Sequence, residues 1–176
     1  MSKDHPGRIS VHLAAPTGRV LLIAEGDVLI QLSQHDSAAQ ARAEGERRRA
    51  EHQPENPLLA EAKGQLDEYF AGERRRFDLP LAPRGTDFQL QVWDQLLEIP
   101  YGETRTYGDL AAAHGGPGAA RAVGQANHNN PIGIIIPCHR VIGSGGKLVG
   151  YASGLERKKQ LLELEGAEVT RQLELF

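Results

Sequence analysis

Three short stretches rich in apolar residues lie near the start of the chain, and in the first of them hydrophobic and polar residues alternate. The stretches cover residues 9–13, 20–23 and 28–32, and turn-forming residues that include Gly18 and Gly26 separate them. Alternation with a period of two, broken by turns, is typical of antiparallel strands that bury one face. We therefore predict a small antiparallel meander in this part of the chain.

The pattern changes after the meander. Residues 33–56 are polar and show no apolar period, so we expect a loop or a frayed helix, whereas 57–71 repeat apolar residues at helical spacing and predict a helix. Residues 72–84 hold two prolines, which favours an extended linker. We place a domain boundary in it, giving an N-terminal α/β domain over 1–80 and a second domain over 81–176.

The second domain is predicted to be mostly helical. Thr86 and Gln89 have the spacing of a capping box, and an apolar stripe follows them up to a proline. Two short helices are expected at 107–114 and 119–128, with a glycine-rich turn at 115–118 between them. Helix, glycine turn and helix form the helix-turn-helix pattern. The fold class is therefore α/β, a small sheet-plus-helix domain followed by a helical domain with a helix-turn-helix.

Two further elements flank a glycine-rich loop. The isoleucine-rich run before Pro137 is short, and we expect a strand that this proline ends. Ser153 and Glu156 have the spacing of a second capping box, which predicts a final helix running to Glu165 and stopping at Gly166.

Composition narrows the function classes. Of 176 residues 40% are hydrophobic and 24% are charged, as in soluble globular proteins. No apolar run reaches about 18 residues, the length of a membrane span, and residues 1–10 lack the apolar core of a secretory signal. The single cysteine excludes an intramolecular disulfide and favours a reducing cytoplasm.

Charge is unevenly distributed. The net charge is −3, yet residues 101–160 hold seven basic and three acidic residues, which gives this segment +4 and the remainder −7. A basic segment on an acidic chain is a candidate surface for a polyanion such as DNA. Chance segregation of solvated charges is the alternative.

No metal or nucleotide cofactor is expected. The seven histidines are scattered, and no cysteine pairs with them at the spacing of a metal site. The glycine-rich loop at 143–150 does not match a phosphate-binding loop. Such a loop ending at Gly146 and Lys147 needs glycine at position 141 and serine or threonine at 148, where the chain has Val141 and Leu148.

Cys138 is the candidate nucleophile. It follows Pro137 and precedes His139 and Arg140. A cysteine nucleophile needs a nearby base or positive charge, and His139 can act as that base directly or through a water. A buried structural cysteine is the alternative, and we interpret Arg140 as a donor to nearby backbone. Glu165, at a helix C-terminus that disfavours a carboxylate, suggests a compensating cation such as His139.

Four segments carry a resemblance to a known family. IPCHRV, preceded by TYGDLA and ARAVGQANHNNP and followed by GLERKKQLLELEG, resembles the O6-alkylguanine-DNA alkyltransferases, also called methylated-DNA–protein-cysteine methyltransferases. The resemblance is close over residues 86–166, and residues 8–80 are similar to the N-terminal domain of the family only in general character.

The resemblance implies a suicide reaction without a cofactor. Cys138 would take an alkyl group from O6-alkylguanine in duplex DNA, once per molecule, and O4-alkylthymine is a second substrate to test. The implied acid–base chain runs from Cys138 through a water and His139 to Glu165, and Asn130 would brace the active-site turn.

It also implies a mode of DNA binding. The helix-turn-helix would enter the minor groove, and the damaged base would be flipped out of the stack. Positions that would contact DNA or the base are Tyr107, Arg121, Val141, Tyr151, Ala152 and Ser153. Arg121 would hold the place of the flipped nucleotide. Ala152 departs from relatives that carry a hydroxyl residue there, although a contact from its backbone N–H would survive.

Other classes compete with this interpretation. An alkyltransferase-like protein would bind the lesion without transfer, but Cys138 speaks against it. A helix-turn-helix regulator and a cysteine hydrolase are the remaining rivals.

The expected partner is double-stranded DNA with O6-alkylguanine, bound by a cytoplasmic monomer. Cooperativity along DNA remains to be tested. Residues 172–176, Gln-Leu-Glu-Leu-Phe, also resemble a bacterial sliding-clamp-binding peptide, although these apolar side chains could instead pack on their own domain.

Overall fold

A computed structural model describes residues 6–168 of the chain. The chain divides into two compact units between Arg84 and Gly85. The sequence places the boundary slightly earlier, after residue 80, within the same proline-containing linker.

The N-terminal unit is built on a four-stranded sheet with strand order β3-β2-β1-β4. Strands β1 (Arg8–Ala15), β2 (Gly18–Glu25) and β3 (Val28–His35) pair antiparallel, as the alternating pattern predicts. Gly26, at φ 62°, adopts the left-handed conformation that the tight turn between β2 and β3 requires. The meander is therefore confirmed.

The expectation of a loop or frayed helix over residues 33–56 was wrong. Helix α1 (Ala38–Arg47) begins at Ser37, whose side chain accepts from the Gln40 N–H, and strand β4 (Ala50–His52) then pairs parallel to β1. Helix α1 buries only Ala41, Glu44 and Gly45, so it packs closely on the sheet without an apolar stripe that the sequence could show.

Helix α2 (Pro57–Phe70) matches the predicted helix. Asn56 caps it by accepting from the Leu59 N–H, and Pro57 occupies the first turn, where its missing N–H is harmless. The linker then runs beside β3, since Leu29 donates its N–H to Pro80 O at 2.8 Å and accepts from the Ala82 N–H at 2.9 Å. This pairing covers an edge of the sheet.

The C-terminal unit begins with helix α3 (Asp87–Leu97), and both hydrogen bonds of the capping box between Thr86 and Gln89 are present. Its other elements follow in chain order. They are β5 (Arg105–Thr106), α4 (Tyr107–Ala111), α5 (Ala120–His128), β6 (Val141–Ile142) and α6 (Leu155–Leu164), with β5 and β6 paired parallel.

Helices α4 and α5 form the predicted helix-turn-helix. Gly115 and Gly116 reverse the chain at φ 103° and 92°, values that favour glycine. A 3-10 turn at Pro117–Ala119 then leads into α5. The indole N–H of Trp93 donates to Ala126 O at 2.9 Å, which ties α5 to α3.

Two predictions in this unit were wrong. The run before Pro137 is a compact turn rather than a strand, with Ile134 in the left-handed region at φ 67°. Helix α6 begins at Gly154 without a side-chain cap, and the Ser153 carbonyl accepts from Arg157 instead. Its end at Glu165, before Gly166 at φ 70°, agrees with the sequence. Across residues 6–168, no helix has both the length and the apolar character to cross a membrane.

Candidate active site

The turn that precedes Cys138 is fastened by Asn130. The Asn130 amide donates from Nδ2 to Ile136 O at 2.8 Å and accepts at Oδ1 from the Ile132 N–H at 3.0 Å. Asn127, from α5, donates to the Cys138 carbonyl at 3.3 Å. The backbone around the cysteine is therefore fixed by two amide side chains rather than by regular structure.

Cys138 opens a single 3-10 turn, Cys138–Arg140, in which all three residues are buried. Burial raises the pKa of the Cys138 thiol. A hydrogen bond from Asn130 and the positive charge of Lys158 act in the opposite direction and stabilise a thiolate. The thiol of Cys138 therefore needs a proton acceptor in order to react. Asn130 and Lys158 would stabilise the negative charge of the thiolate that forms.

Glu165 accepts hydrogen bonds from both residues that follow the cysteine. His139 Nε2 lies 2.8 Å from Oε1, and the Arg140 guanidinium binds both carboxylate oxygens, each at 2.9 Å. Arg140 also donates to the Ile99 carbonyl at 2.6 Å. The interpretation of Arg140 as a backbone donor was therefore incomplete, because its larger role is the bidentate ion pair with Glu165.

These contacts determine the protonation states of Glu165 and His139. Burial alone raises the pKa of Glu165, but hydrogen bonds and charge from His139 and Arg140 outweigh it and lower the pKa to about 2. Burial lowers the pKa of His139 despite the hydrogen bond to Glu165. A neutral imidazole facing a carboxylate donates from Nε2, so Nδ1 is left as an acceptor.

His139 Nδ1 is buried, and no described residue donates to it. A buried acceptor in the residue next to the thiol is what a proton relay from Cys138 requires, directly or through one water. Glu165 and Arg140 orient the ring so that this nitrogen is available.

Lys158, on α6, is fully buried and was not singled out from the sequence. Its ammonium donates to three carbonyls, those of Val141, Val149 (2.9 Å) and Gly150 (3.2 Å). Burial lowers its pKa to about 8, and the charge of Cys138 acts to raise it. Lys158 thus fastens the glycine-rich loop to β6 beside the cysteine.

Tyr107 stands at the start of α4, close to the same loop. Its hydroxyl donates to Val149 O at 3.2 Å, and Lys158 Nζ lies 5.9 Å from the centre of its ring. Burial, and then the charge of Cys138, raise its pKa. Tyr107 and Val141 are therefore grouped around Lys158, next to the nucleophile.

The other predicted DNA-contacting residues lie on two neighbouring segments. Arg121 is exposed in the first turn of α5, the second helix of the helix-turn-helix. Tyr151, Ala152 and Ser153 form the segment between the glycine-rich loop and α6, with Ala152 exposed. The structure does not bring Arg121 into the hydrogen-bonded group around Cys138.

Sequence reasoning missed Lys158 and Asn127 and underrated Arg140. Lys158 stands in a run of three basic residues, and only the turn of α6 shows that the middle one points inward. Asn127 precedes a histidine and two further asparagines, which offers no signal for the buried one.

A cysteine with a His–Glu pair behind it, in a unit that carries a helix-turn-helix, defines a DNA-binding protein with a nucleophilic cysteine. Two family models match the chain. Residues 87–167 match the DNA binding domain of 6-O-methylguanine DNA methyltransferase, and residues 12–83 match its ribonuclease-like domain.

Named relatives agree with these matches. A Mycobacterium leprae methylated-DNA–protein-cysteine methyltransferase is 52% identical over 162 residues, which cover 92% of this chain and 94% of that protein. The crystal structure of Mycobacterium tuberculosis O6-methylguanine methyltransferase has a TM-score of 0.78 at 46% identity, covering 96% of this chain and 99% of that one.

A third comparison involves DNA. The structure of Mycobacterium tuberculosis OGT in complex with DNA has a TM-score of 0.78 at 47% identity, covering 96% of this chain and 98% of that one. The chain belongs to the 6-O-methylguanine DNA methyltransferase family.

Proposed function

We propose that this protein repairs DNA by direct reversal, moving an alkyl group from O6-alkylguanine in duplex DNA to Cys138. The observation that carries the proposal is the buried chain Cys138, His139 and Glu165 within the helix-turn-helix unit. Family membership and the DNA complex of a relative at 47% identity support the same function.

The chemistry is a displacement at the alkyl carbon. Sulfur of Cys138 attacks that carbon, a C–S bond forms, and the bond from carbon to guanine O6 breaks. The thiol proton passes to His139 Nδ1, through one water, and is finally given to the guanine that leaves. Glu165 stabilises the imidazolium during the transfer, and hydrogen bonding or protonation of guanine lowers the barrier.

The product is a thioether in a buried turn. The residues around Cys138 include no second thiol, because the chain has a single cysteine. A thioether has no leaving group that these residues could displace. Each molecule therefore repairs one lesion, and the protein acts as a reagent as much as a catalyst.

DNA recognition falls to the helix-turn-helix and the loop before α6. Arg121 is exposed on α5 and suits insertion into the base stack, where it would replace the flipped nucleotide. Tyr107, Val141 and Tyr151 line the place of the flipped guanine. Ala152 and Ser153 offer backbone groups to its edge.

Replacing Cys138 with alanine tests the proposal. The variant should bind a duplex containing O6-methylguanine as the wild-type protein does, yet transfer no methyl group from radiolabelled DNA. Wild-type protein that binds the lesion without transfer would place this chain with alkyltransferase-like lesion sensors. Absence of any lesion preference would remove both functions.

The proposal also covers the oligomeric state, the cellular location and a contact with a sliding clamp. The protein acts as a monomer in a reducing cytoplasm, a location that its single cysteine favours. The mass of the protein–DNA complex tests the monomeric state. A contact with a sliding clamp through 172–176 lies outside the described residues and is supported by the Gln and Leu-x-Leu-Phe pattern alone. Unchanged clamp binding after deletion of 172–176 would exclude this contact.

A further inference from the structure

A cavity lies in the N-terminal unit, between α1 and the sheet, and none of its residues belongs to the Cys138 site. Its volume is about 360 Å³. Leu21 and Ala41 supply apolar wall, whereas His12 of β1, His52 of β4 and Arg42 of α1 supply basic groups. Pockets of this size hold small organic ligands.

His12 has a polar atom in need of a partner. Its Nδ1 is buried, and no described residue forms a hydrogen bond with it. The His12 and His52 rings lie 5.5 Å apart between centroids and are tilted by 36°. Buried polar atoms are nearly always satisfied, so this ring nitrogen is available to hydrogen-bond a group that enters the cavity.

The charges around the cavity favour an anion. The charged or titratable groups that line the cavity with His12 are Arg42 and Glu46 from α1 and His52 from β4. Arg19 from β2 does not line the cavity, but its charge acts on His12. Burial, and then His52, Arg19 and Arg42, lower the pKa of His12, as expected where positive charge accumulates. The lining therefore holds one carboxylate and three basic side chains, and Arg19 adds a further positive charge nearby.

A metal ion suits this cavity less well. Two imidazoles could share one ion, but across residues 6–168 no group of three histidine, cysteine or acidic side chains could hold a metal. The two arginines would also repel a cation. An oxyanion, in contrast, accepts hydrogen bonds from imidazole N–H and guanidinium groups and gains from both arginine charges.

We infer that this cavity binds a small phosphate monoester, with the phosphate held by His12, His52 and Arg42 and the organic part against Leu21 and Ala41. The cavity is larger than an inorganic oxyanion needs, and its apolar wall would contact the carbon skeleton of such a ligand. The site is independent of alkyl transfer at Cys138.

Phosphate titrations of the full-length protein test this inference. The imidazole signals of His12 and His52 are followed by NMR at constant ionic strength, with inorganic phosphate and with phenyl phosphate as probes. Both probes should shift the two signals to saturation and raise the pKa of His12, and phenyl phosphate should bind about fivefold more tightly because it buries apolar surface.

Variants assign the binding to the cavity. Arg42→Gln, on an exposed helix position, should weaken phenyl phosphate by about tenfold, the scale of one charge-assisted hydrogen bond. His12→Phe keeps a ring of similar shape and should weaken it by a similar factor. Lys63→Gln removes the same charge from an exposed position on α2 outside the cavity and should change binding less than about twofold.

Several outcomes would overturn the inference. They are shifts that never saturate, equal weakening by Arg42→Gln and Lys63→Gln, or saturable binding of Zn²⁺ with no binding of either phosphate. Methyl transfer to Cys138 is measured on the same samples and should be unchanged in Arg42→Gln. A loss of transfer there with phosphate binding intact would contradict the independence of the two sites.

Discussion

Replacing Glu165 with glutamine keeps the size of the side chain and removes its charge. In the wild-type protein this fully buried carboxylate accepts two hydrogen bonds from Arg140 and one from His139. A neutral amide leaves the buried guanidinium of Arg140 without a counter-charge. It also presents an N–H group toward donors that need an acceptor.

The size of the effect follows from the pKa of Glu165. A decrease from the ordinary value of 4.5 to about 2 corresponds to about 3 kcal/mol of stability at neutral pH. Breaking a buried ion pair by removing one partner has a cost of about 3–5 kcal/mol. Both routes predict that Glu165→Gln lowers the free energy of unfolding by about 3 kcal/mol at pH 7.

The effect also has a defined pH dependence. Because the pKa of Glu165 is lower in the folded than in the unfolded protein, its stabilisation is complete above the unfolded value of 4.5 and is lost as pH falls toward 2. Urea unfolding of wild type and Glu165→Gln should therefore show a difference of about 3 kcal/mol at pH 7. At about pH 3 the difference should be less than half of that.

Glu163→Gln is the matched control. Glu163 lies on the same helix with an exposed side chain 3.9 Å from Lys159, so its loss should change stability by less than about 0.5 kcal/mol. A Glu165→Gln difference below about 1 kcal/mol at pH 7, or one that is the same at both pH values, would show that the ion pair with Arg140 does not stabilise the fold. Methyl transfer by Glu165→Gln should also slow by about a hundredfold, because His139 loses the partner that orients it.

Three other substitutions give separable results. Lys158→Met should slow single-turnover transfer by about tenfold or more, since three carbonyls around the site lose their donor. The partly exposed Lys159→Met should not slow it, and equal rates for the two variants would contradict this role. Arg121→Ala should slow transfer from duplex DNA by about tenfold but leave the reaction with free O6-methylguanine unchanged, and a parallel loss on both substrates would exclude stack insertion. Asn130→Ala should lower the free energy of unfolding by about 2 kcal/mol through two lost hydrogen bonds, against little change for the exposed Asn129→Ala, and similar values for both would contradict the bracing of the turn.

Strong periodicity made part of the fold predictable. The alternation in β1, the apolar spacing in α2 and the capping box of α3 each appear in the structure where the sequence indicated. Helix α1 was not predictable in the same way, because Gly45 and Ala41 bury a surface that is small rather than apolar. Its contribution comes from close approach to the sheet.

The active site was also predictable from the sequence only in part. Cys138 and His139 are adjacent in the chain, so their pairing could be anticipated from local chemistry. The pairing of Arg140 with Glu165 joins residues 25 positions apart and depends on how α6 packs against the turn. The three carbonyls that Lys158 binds are backbone groups, and sequence patterns carry no information about where they converge.

In the proposed reaction, Cys138 takes the alkyl group directly and irreversibly. The most direct measurement is the intact mass of the protein after incubation with excess duplex carrying one O6-methylguanine. We expect a single increase of about 14 Da per molecule, located at Cys138 by peptide mapping, with no further increase over time. An unchanged mass despite binding to the lesion, a methyl group on another residue, or regeneration of free thiol would contradict it.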